Sequence, residues 1–307
     1  MDWTNVEQRI VDDDRNKWDR RAPAEALRLA EECALEVTRE GEAPARFVLS
    51  ELATGQMCGK LGIPVPYYRR LPNELRATIA NYDLERLKGN AYLLRGKEEW
   101  IRAFLSADYI AYNNGEIAET VRCLLKEATV SVKSVVLEET HLFLKIVSEE
   151  IVDPGSGLKA GIMIGNSEVG MGSVSVEPFV YRKACTNDLV VTQEKSFRHA
   201  HIHLTASEMR RRMAEAIAEA FRIANSVLDR FAATRDEPIP DPVQMIRQLA
   251  EDRKMSRKFA DEVVSSYTAE PESTRFGVIN AFTRAAQKLG PLQRIEVERF
   301  AGTLIDA

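Results

Sequence analysis

The sequence predicts an α+β fold in which an antiparallel β-sheet core is flanked by helices, with an N-terminal helical arm and a C-terminal helical region. Strand-like segments are concentrated in the middle of the chain, and helical patterns follow them to the end. Alternating strand–helix–strand units are not seen, which argues against a doubly wound nucleotide-binding fold. The 307 residues are accordingly divided into an arm over 1–44, a core domain over 45–235 and a helical region over 236–307 that packs on the core.

Helical periodicity dominates the first part of the chain. Between Pro23 and Glu40 apolar side chains recur at spacings of three and four, and Gly41 is a typical helix stop. This pattern predicts a helix in the arm, either a solvated helix that covers the core or one that binds a partner. The same reasoning predicts these following elements: helices over Arg46 to Gly59, Leu75 to Lys88 and Glu116 to Lys126, and a short strand over Ala91 to Arg95.

The middle of the chain is rich in β-branched residues. Thr129 to Leu137 and His141 to Val147 are separated by three residues, a spacing that predicts a β-hairpin. Glycines and a Pro-Gly turn punctuate the residues that follow. Further strands are predicted over these ranges: Ala160 to Ile164, Ser173 to Tyr181, Leu189 to Thr192 and Phe197 to Leu204.

The C-terminal part carries clear helix-start signals. Thr205 and Glu208 form a capping-box pattern that opens a helix of roughly 25 residues. Asp241 is placed to cap another helix with Pro242 at its first position. Two final helices are predicted over these ranges: Thr274 to Leu289 and Leu292 to Leu304, separated by a Gly-Pro pair.

Composition narrows the class of protein without assigning a function. The chain has 42 Lys+Arg and 47 Asp+Glu, a net charge of −5, which excludes a globally basic, histone-like binder but not a local basic face. Four cysteines without C-x-x-C spacing indicate reduced thiols and argue against a structural zinc site. An acidic, polar N-terminal stretch and the lack of a long apolar run predict a cytoplasmic protein with no signal peptide and no membrane partner.

Several short motifs occur in a characteristic order. They are Gly62-Ile63-Pro64 with Tyr67-Tyr68, Arg102 to Ser106 with Tyr109 and Asn113, Asn166 to Gly170 with Gly172-Ser173, Cys185-Thr186-Asn187, Arg198-His199, and Asn280 to Thr283. Together these motifs resemble the family of uncharacterised phage/plasmid-like proteins, domain of unknown function 932. The likeness covers roughly Ala45 to Phe300.

The resemblance implies a role linked to phages or plasmids, in DNA handling, and assigns no catalytic residue. It singles out a set of polar residues that the family motifs contain. In this chain they are Arg102, Ser106, Tyr109, Asn113, Asn166, Ser167, Glu168, Cys185, Thr186, Asn187 and His199.

The charge distribution predicts where nucleic acid binds. Between Tyr181 and Arg235 there are ten basic and six acidic residues, a net charge of +4 in an acidic chain. A basic strand-and-helix region is typical of a surface that follows a phosphate backbone, although a solvated helix face gives the same pattern. The residues predicted to contact phosphates are Lys195, Arg198, Arg210, Arg211 and Arg212, and those predicted to stack on bases are Tyr181 and Phe197. This interpretation predicts a non-enzymatic protein without a cofactor that binds or anneals single-stranded DNA. A homo-oligomer is compatible with this role.

Two alternatives from other classes stay open. His199, His201 and His203 alternate along a predicted strand and would share one side of it, as ligands of a divalent transition metal do. A fourth ligand would come from Glu168 or Cys185, and the protein would then be a metal-dependent enzyme. The third interpretation is a phage protein that binds a host protein.

Overall fold

The computed structural model describes residues 1–39, 41–150, 157–182, 187–190, 197–202 and 204–306, with the backbone alone described at 187–190 and 206. These residues form two antiparallel-dominated sheets flanked by helices, which confirms the α+β prediction. Of the residues named above, Cys185, Thr186, Lys195 and His203 lie outside the described ranges.

The first sheet has six strands in the order β1-β5-β6-β4-β3-β2. All neighbouring strands are antiparallel except β4 and β6, which run parallel. Helices α2 and α4 cover one face, where their apolar residues join those of the strands in one core cluster. The elements of this part are α1 Trp3–Asp14, β1 Lys17–Pro23, β2 Leu27–Leu29, β3 Ala34–Val37, β4 Ala45–Leu49, α2 Glu51–Leu61, α3 Val65–Tyr68, α4 Asn73–Arg86, β5 Ala91–Lys97 and β6 Trp100–Ser106.

The helix expected between Pro23 and Glu40 is wrong. The described residues of that segment form β2 and β3, whose side chains are buried at every second position, with Leu27, Leu29, Leu35 and Val37 in the core. The apolar residues of this segment fit the spacing of a helix as well as that of a strand. Pairing of β3 with β4 selects the strand. The expected boundary between arm and core at 44/45 therefore falls inside one sheet.

The second sheet is antiparallel, in the order β11-β10-β9-β8-β7, with β12 paired to β10. The predicted hairpin is confirmed, because Leu137 pairs with Leu142 and the strands continue in register to a bulge after Val132. The predicted strand after Phe197 ends early, at His199. The elements are α5 Asn114–Glu127, β7 Val130–Leu137, β8 Leu142–Ser148, β9 Leu158–Asn166, β10 Val174–Arg182, β11 Asn187–Val190 and β12 Phe197–His199.

Helices cover both faces of the second sheet. Leu144 and Ile146 of β8 share a core cluster with Met209 and Met213 of the long helix α6, Ala206–Ala233. The alternate residues of β8 face the C-terminal helix, where Lys145 donates to Glu298 at 2.7 Å with both side chains buried. Strand alternation thus provides one purely apolar face and one face with buried ion pairs.

The remaining helices form the C-terminal region: α7 Pro242–Asp252, α8 Arg257–Ala269, α9 Arg275–Ala286 and α10 Pro291–Thr303. Two predicted caps are confirmed, since the Glu208 N–H donates to Thr205 Oγ1 and the Gln244 N–H donates to Asp241 Oδ1. The hydrophobic core of these C-terminal helices includes Leu158 and Val180 of the second sheet, so the C-terminal region packs on that sheet. In the part of the chain that is described, no helix is long and apolar enough to cross a membrane.

Candidate functional site

Glu168 lies at the junction of the two sheets, directly after β9, and its side chain is almost completely buried. Its carboxylate accepts hydrogen bonds from Lys17 Nζ at 2.8 Å, from Arg102 Nη1 at 3.2 Å and from the Asn114 backbone N–H at 2.8 Å. Lys17 and Arg102 belong to the first sheet, whereas Asn114 begins α5. The buried carboxylate therefore joins three separate parts of the fold.

Lys17 contacts two further carboxylates from the end of α1. Its ammonium lies 2.6 Å from Asp13 Oδ2 and 2.8 Å from Asp14 Oδ1. Among the described residues, Asp13, Asp14 and Glu168 are the one acidic or histidine group compact enough to hold a metal ion. The Lys17 ammonium is within hydrogen-bonding distance of all three, so the group already binds a cation of the protein itself.

The charges in this junction stabilise each other. Burial alone would raise the pKa of Glu168, but Lys17, the Asn114 N–H and Arg102 together hold that pKa below its ordinary value. Burial likewise favours neutral Lys17, yet Glu168 and the two aspartates keep its pKa above the usual range. Both groups are charged near neutral pH, so this cluster is an ion-pair network rather than a proton-transfer pair.

The same junction gathers other residues of the family motifs. Arg95 donates to the Glu168 carbonyl at 2.8 Å and also to Asn113 Oδ1. The Tyr109 hydroxyl donates to the Ser167 carbonyl at 2.8 Å, and Asn166 Nδ2 donates to the Tyr112 carbonyl at 3.1 Å. Side chains of the motifs thus bond largely to loop backbone, which is the signature of a structural junction.

Not every residue of that set joins it. Ser106 ends β6, where its carbonyl accepts the Tyr109 N–H, and Asn187 pairs with Arg182 through the backbone of β11. His199 lies on β12 and contacts the Ala200 carbonyl through Nδ1. The structure therefore brings together Arg102, Tyr109, Asn113, Asn166, Ser167 and Glu168, with Lys17 and Arg95 as partners that the sequence did not single out.

The described histidines do not form the predicted strand of ligands. Because β12 ends at His199, His201 follows it in a loop, 3% exposed, with its ring stacked on Tyr109 at 4.8 Å between centroids. Its Nδ1 lies 3.0 Å from the Ile110 carbonyl, so that nitrogen carries the proton. Burial lowers the pKa of His201 to about 4. Of the two fourth ligands considered, Cys185 lies outside the described residues and Glu168 is held by Lys17 and Arg102, so the described residues do not support the three-histidine site.

The arginines predicted to contact phosphates are already paired with carboxylates. Arg211 and Arg212 bind Glu215 and Glu208 one turn away on α6, at 2.6 and 2.9 Å. Arg210 lies 3.7 Å from Glu116 of α5. Each arginine is about half exposed. Their positive charge is therefore largely compensated locally, as on an ordinary solvated helix face.

The remaining members of the predicted nucleic-acid surface are less accessible than expected. Tyr181 is 6% exposed, and the Lys133 ammonium lies over its ring at 4.2 Å from the centroid. Phe197 is half-buried and packs against the core between α6 and the second sheet. Arg198 is half-exposed and lies 3.6 Å from the buried carboxylate of Glu177. The burial of both aromatic rings disfavours their role as stacking platforms for bases.

A different basic surface lies at the turn between α7 and α8. We call Arg253, Lys254, Arg257 and Lys258 the basic turn: four cations within six residues, all exposed. None of them forms an ion pair with a carboxylate of the described chain, unlike their neighbour Arg247, which binds Asp261 at 3.2 Å. Four cations without a carboxylate partner among the described residues thus lie together at the α7–α8 turn and the start of α8 in an acidic protein.

Two local features of the basic turn are energetically unfavourable for the fold. Lys254 adopts φ +52°, a left-handed conformation that favours glycine at the end of a helix. Arg257 and Lys258 occupy the first turn of α8, where the helix dipole favours acidic residues, and no acidic residue is present there. A sequence optimised for stability alone would place glycine and acidic residues at these positions.

Sequence reasoning missed the basic turn because charge was summed over a long window. The segment Arg253-Lys-Met-Ser-Arg-Lys258 is itself a visible signal, with four basic residues and no acidic one. Acidic neighbours on both sides cancel it in a wider count. What the sequence does not show is which cations lack a partner after folding.

Comparison with known proteins adds no assignment. No protein-family model, no curated protein and no solved structure matches this chain. The resemblance to the phage/plasmid-like family therefore stays a prediction from sequence motifs.

Proposed function

We propose that this protein binds the sugar–phosphate backbone of nucleic acid, single-stranded DNA above all, as a non-enzymatic binding or annealing protein. The observation that carries the proposal is the basic turn, whose four exposed cations have no carboxylate partner among the described residues. Phosphate contacts by lysine and arginine provide most of the sequence-independent affinity for nucleic acid. The family resemblance, with its implied role in DNA handling, points in the same direction.

The basic turn is favoured over the surface at the start of α6. Arginines of α6 would have to leave Glu208 and Glu215 before binding phosphate. Cations of the basic turn need no such exchange, and the positive end of the α8 dipole adds to their field. The structural cost of Lys254 in a left-handed conformation is offset when its charge contacts a ligand.

The test is a binding titration by fluorescence anisotropy, with a labelled single strand and its duplex, repeated at several salt concentrations. The variant Lys254→Gly/Arg257→Ala/Lys258→Ala removes three charges and places glycine where φ is positive. Loss of three phosphate contacts lowers single-strand affinity by about 100-fold at about 0.1 M salt and reduces the log–log salt slope by about 2. Circular dichroism verifies that the variant is folded.

The matched variant Arg210→Ala/Arg211→Ala/Arg212→Ala removes the same charge from α6. We expect it to keep at least a third of the wild-type affinity. If it loses binding while the basic-turn variant does not, the surface predicted from sequence is the correct one and the proposal is wrong. Absence of binding by the wild type at low salt also overturns it. An annealing assay with complementary strands then separates simple binding from annealing.

A further inference from the structure

The basic turn borders a cleft that lies between α8 and α10. This cleft has a volume of about 630 Å³, within the range of small-ligand sites. Apolar side chains line part of its walls, namely Met255, Phe259, Leu289, Val297 and Phe300, and polar groups line the rest. Arg253 and Lys254 of the basic turn lie on its rim. A phosphate bound at the turn would therefore lie next to a partly apolar recess.

Arg253 provides a planar surface at this rim. Its guanidinium lies 4.8 Å from the centroid of the Phe300 ring, in cation–π contact, while the side chain stays exposed. Guanidinium planes and aromatic rings are the surfaces on which unpaired bases stack. The exposed guanidinium plane of Arg253, packed on the buried Phe300 ring, is thus a stacking surface next to phosphate-binding cations.

The α10 side of the cleft carries polar groups of a different character. Gln293 and Glu296 of α10 are exposed and line the cleft. An amide and a carboxylate can bond the edge of a base, whereas the negative Glu296 repels phosphate. The charge asymmetry orients a strand with its backbone on the turn and a base toward α10.

We infer that this cleft receives one unstacked base from a single strand whose phosphates bind the basic turn. This inference rests on the proposed function. Juxtaposition of the four cations, the Arg253–Phe300 pair and the apolar recess carries the inference. A duplex cannot place a base there without breaking a pair, so the cleft makes the protein selective for single strands. Stacking on a guanidinium plane tolerates any base, which fits binding without sequence preference.

The experiment compares an oligothymidylate with a strand of equal length in which abasic sites replace the bases. The normal strand is expected to bind about tenfold more tightly, the magnitude of one base stack. Gln293→Trp, at an exposed position of the cleft, should fill the cleft and reduce the affinity for the normal strand to that for the abasic strand. Gln248→Trp, an identical change on the exposed side of α7 outside the cleft, should leave both affinities unchanged.

Equal affinity for normal and abasic strands overturns the inference. If binding in that case is still lost in the basic-turn variant, the proposed function is unaffected. A duplex bound as tightly as the single strand also overturns the base cleft. Lack of binding to either strand at low salt instead removes the proposed function, so the two failures are distinguishable.

Discussion

Lys17 and Glu168 form a buried ion pair of 2.8 Å that connects the first strand of one sheet to the loop after β9 in the other. The two residues are 151 positions apart in sequence. Asp13, Asp14 and Arg102 complete the network, so its ion pairs form only when both sheets and α1 are in place.

The first prediction concerns this network. Glu168→Gln leaves Lys17 and Arg102 with one charged partner fewer in a buried site, and we expect the free energy of unfolding to fall by about 3 kcal/mol. Urea denaturation measures it without screening the ion pairs. Glu215→Gln removes an exposed partner of Arg211 and should cost less than about 0.5 kcal/mol. Equal losses in both variants would mean that the junction does not hold the sheets together.

The second prediction is a pH dependence caused by His201. Burial depresses the folded-state pKa to about 4, so the stability it contributes is complete above its unfolded pKa of about 6.5 and is lost as pH falls toward 4. The protein should lose about 2 kcal/mol between pH 8 and pH 5 from this group. Asp13 and Glu168, whose pKa values are lowered, act in the same direction only at lower pH.

The variant His201→Asn isolates that contribution. Its amide can still donate to the Ile110 carbonyl but does not titrate, so the stability curve between pH 5 and pH 7 should flatten. An unchanged slope in His201→Asn contradicts the assignment. His141, whose pKa is also lowered by burial, accounts for a smaller residual slope.

The third prediction uses two glycines with opposite surroundings. A Cβ at Gly161 of β9 would lie 2.6 Å from Phe179 Cζ and 2.8 Å from the Ile146 carbonyl oxygen. Gly161→Ala should therefore destabilise the protein by about 1–3 kcal/mol through overpacking. Gly55 in the middle of α2 has no atom within 4 Å of that position, and Gly55→Ala should stabilise by about 0.5–1 kcal/mol. Thermal unfolding of both variants checks the two signs.

Elements with strong local signals were predictable from the sequence. The capped start of α6 depends on Thr205 and Glu208, three residues apart, and the hairpin depends on two β-branched runs joined by a short link. The strands β2 and β3 were not predictable, because their apolar spacing also fits a helix and only pairing with β4 selects the extended form. The helix α8 was missed although Ser256 caps it and Ala260, Val263 and Tyr267 recur at helical spacing.

The candidate site divides in the same way. Arg102, Tyr109 and Glu168 could be selected from motif resemblance, but not their bonds to loop backbone and to Lys17. The sequence shows the positive charge of the α6 arginines, and two of their ion pairs, with Glu208 and Glu215, follow from the i,i+4 spacing of a helix. Pairing of Arg210 with Glu116 depends on the packing of α5 beside α6.

By itself the sequence determined the fold class, the caps, the hairpin and the presence of a basic run at Arg253 to Lys258. These features depend on hydrogen bonds and periodicities within a few residues, which every local segment encodes. Tertiary structure alone decided which charges are buried and balanced at Glu168 and which stay unpaired at the basic turn. The physical reason is that an ion pair depends on the distance between two atoms, and long-range distances exist only once the chain has packed.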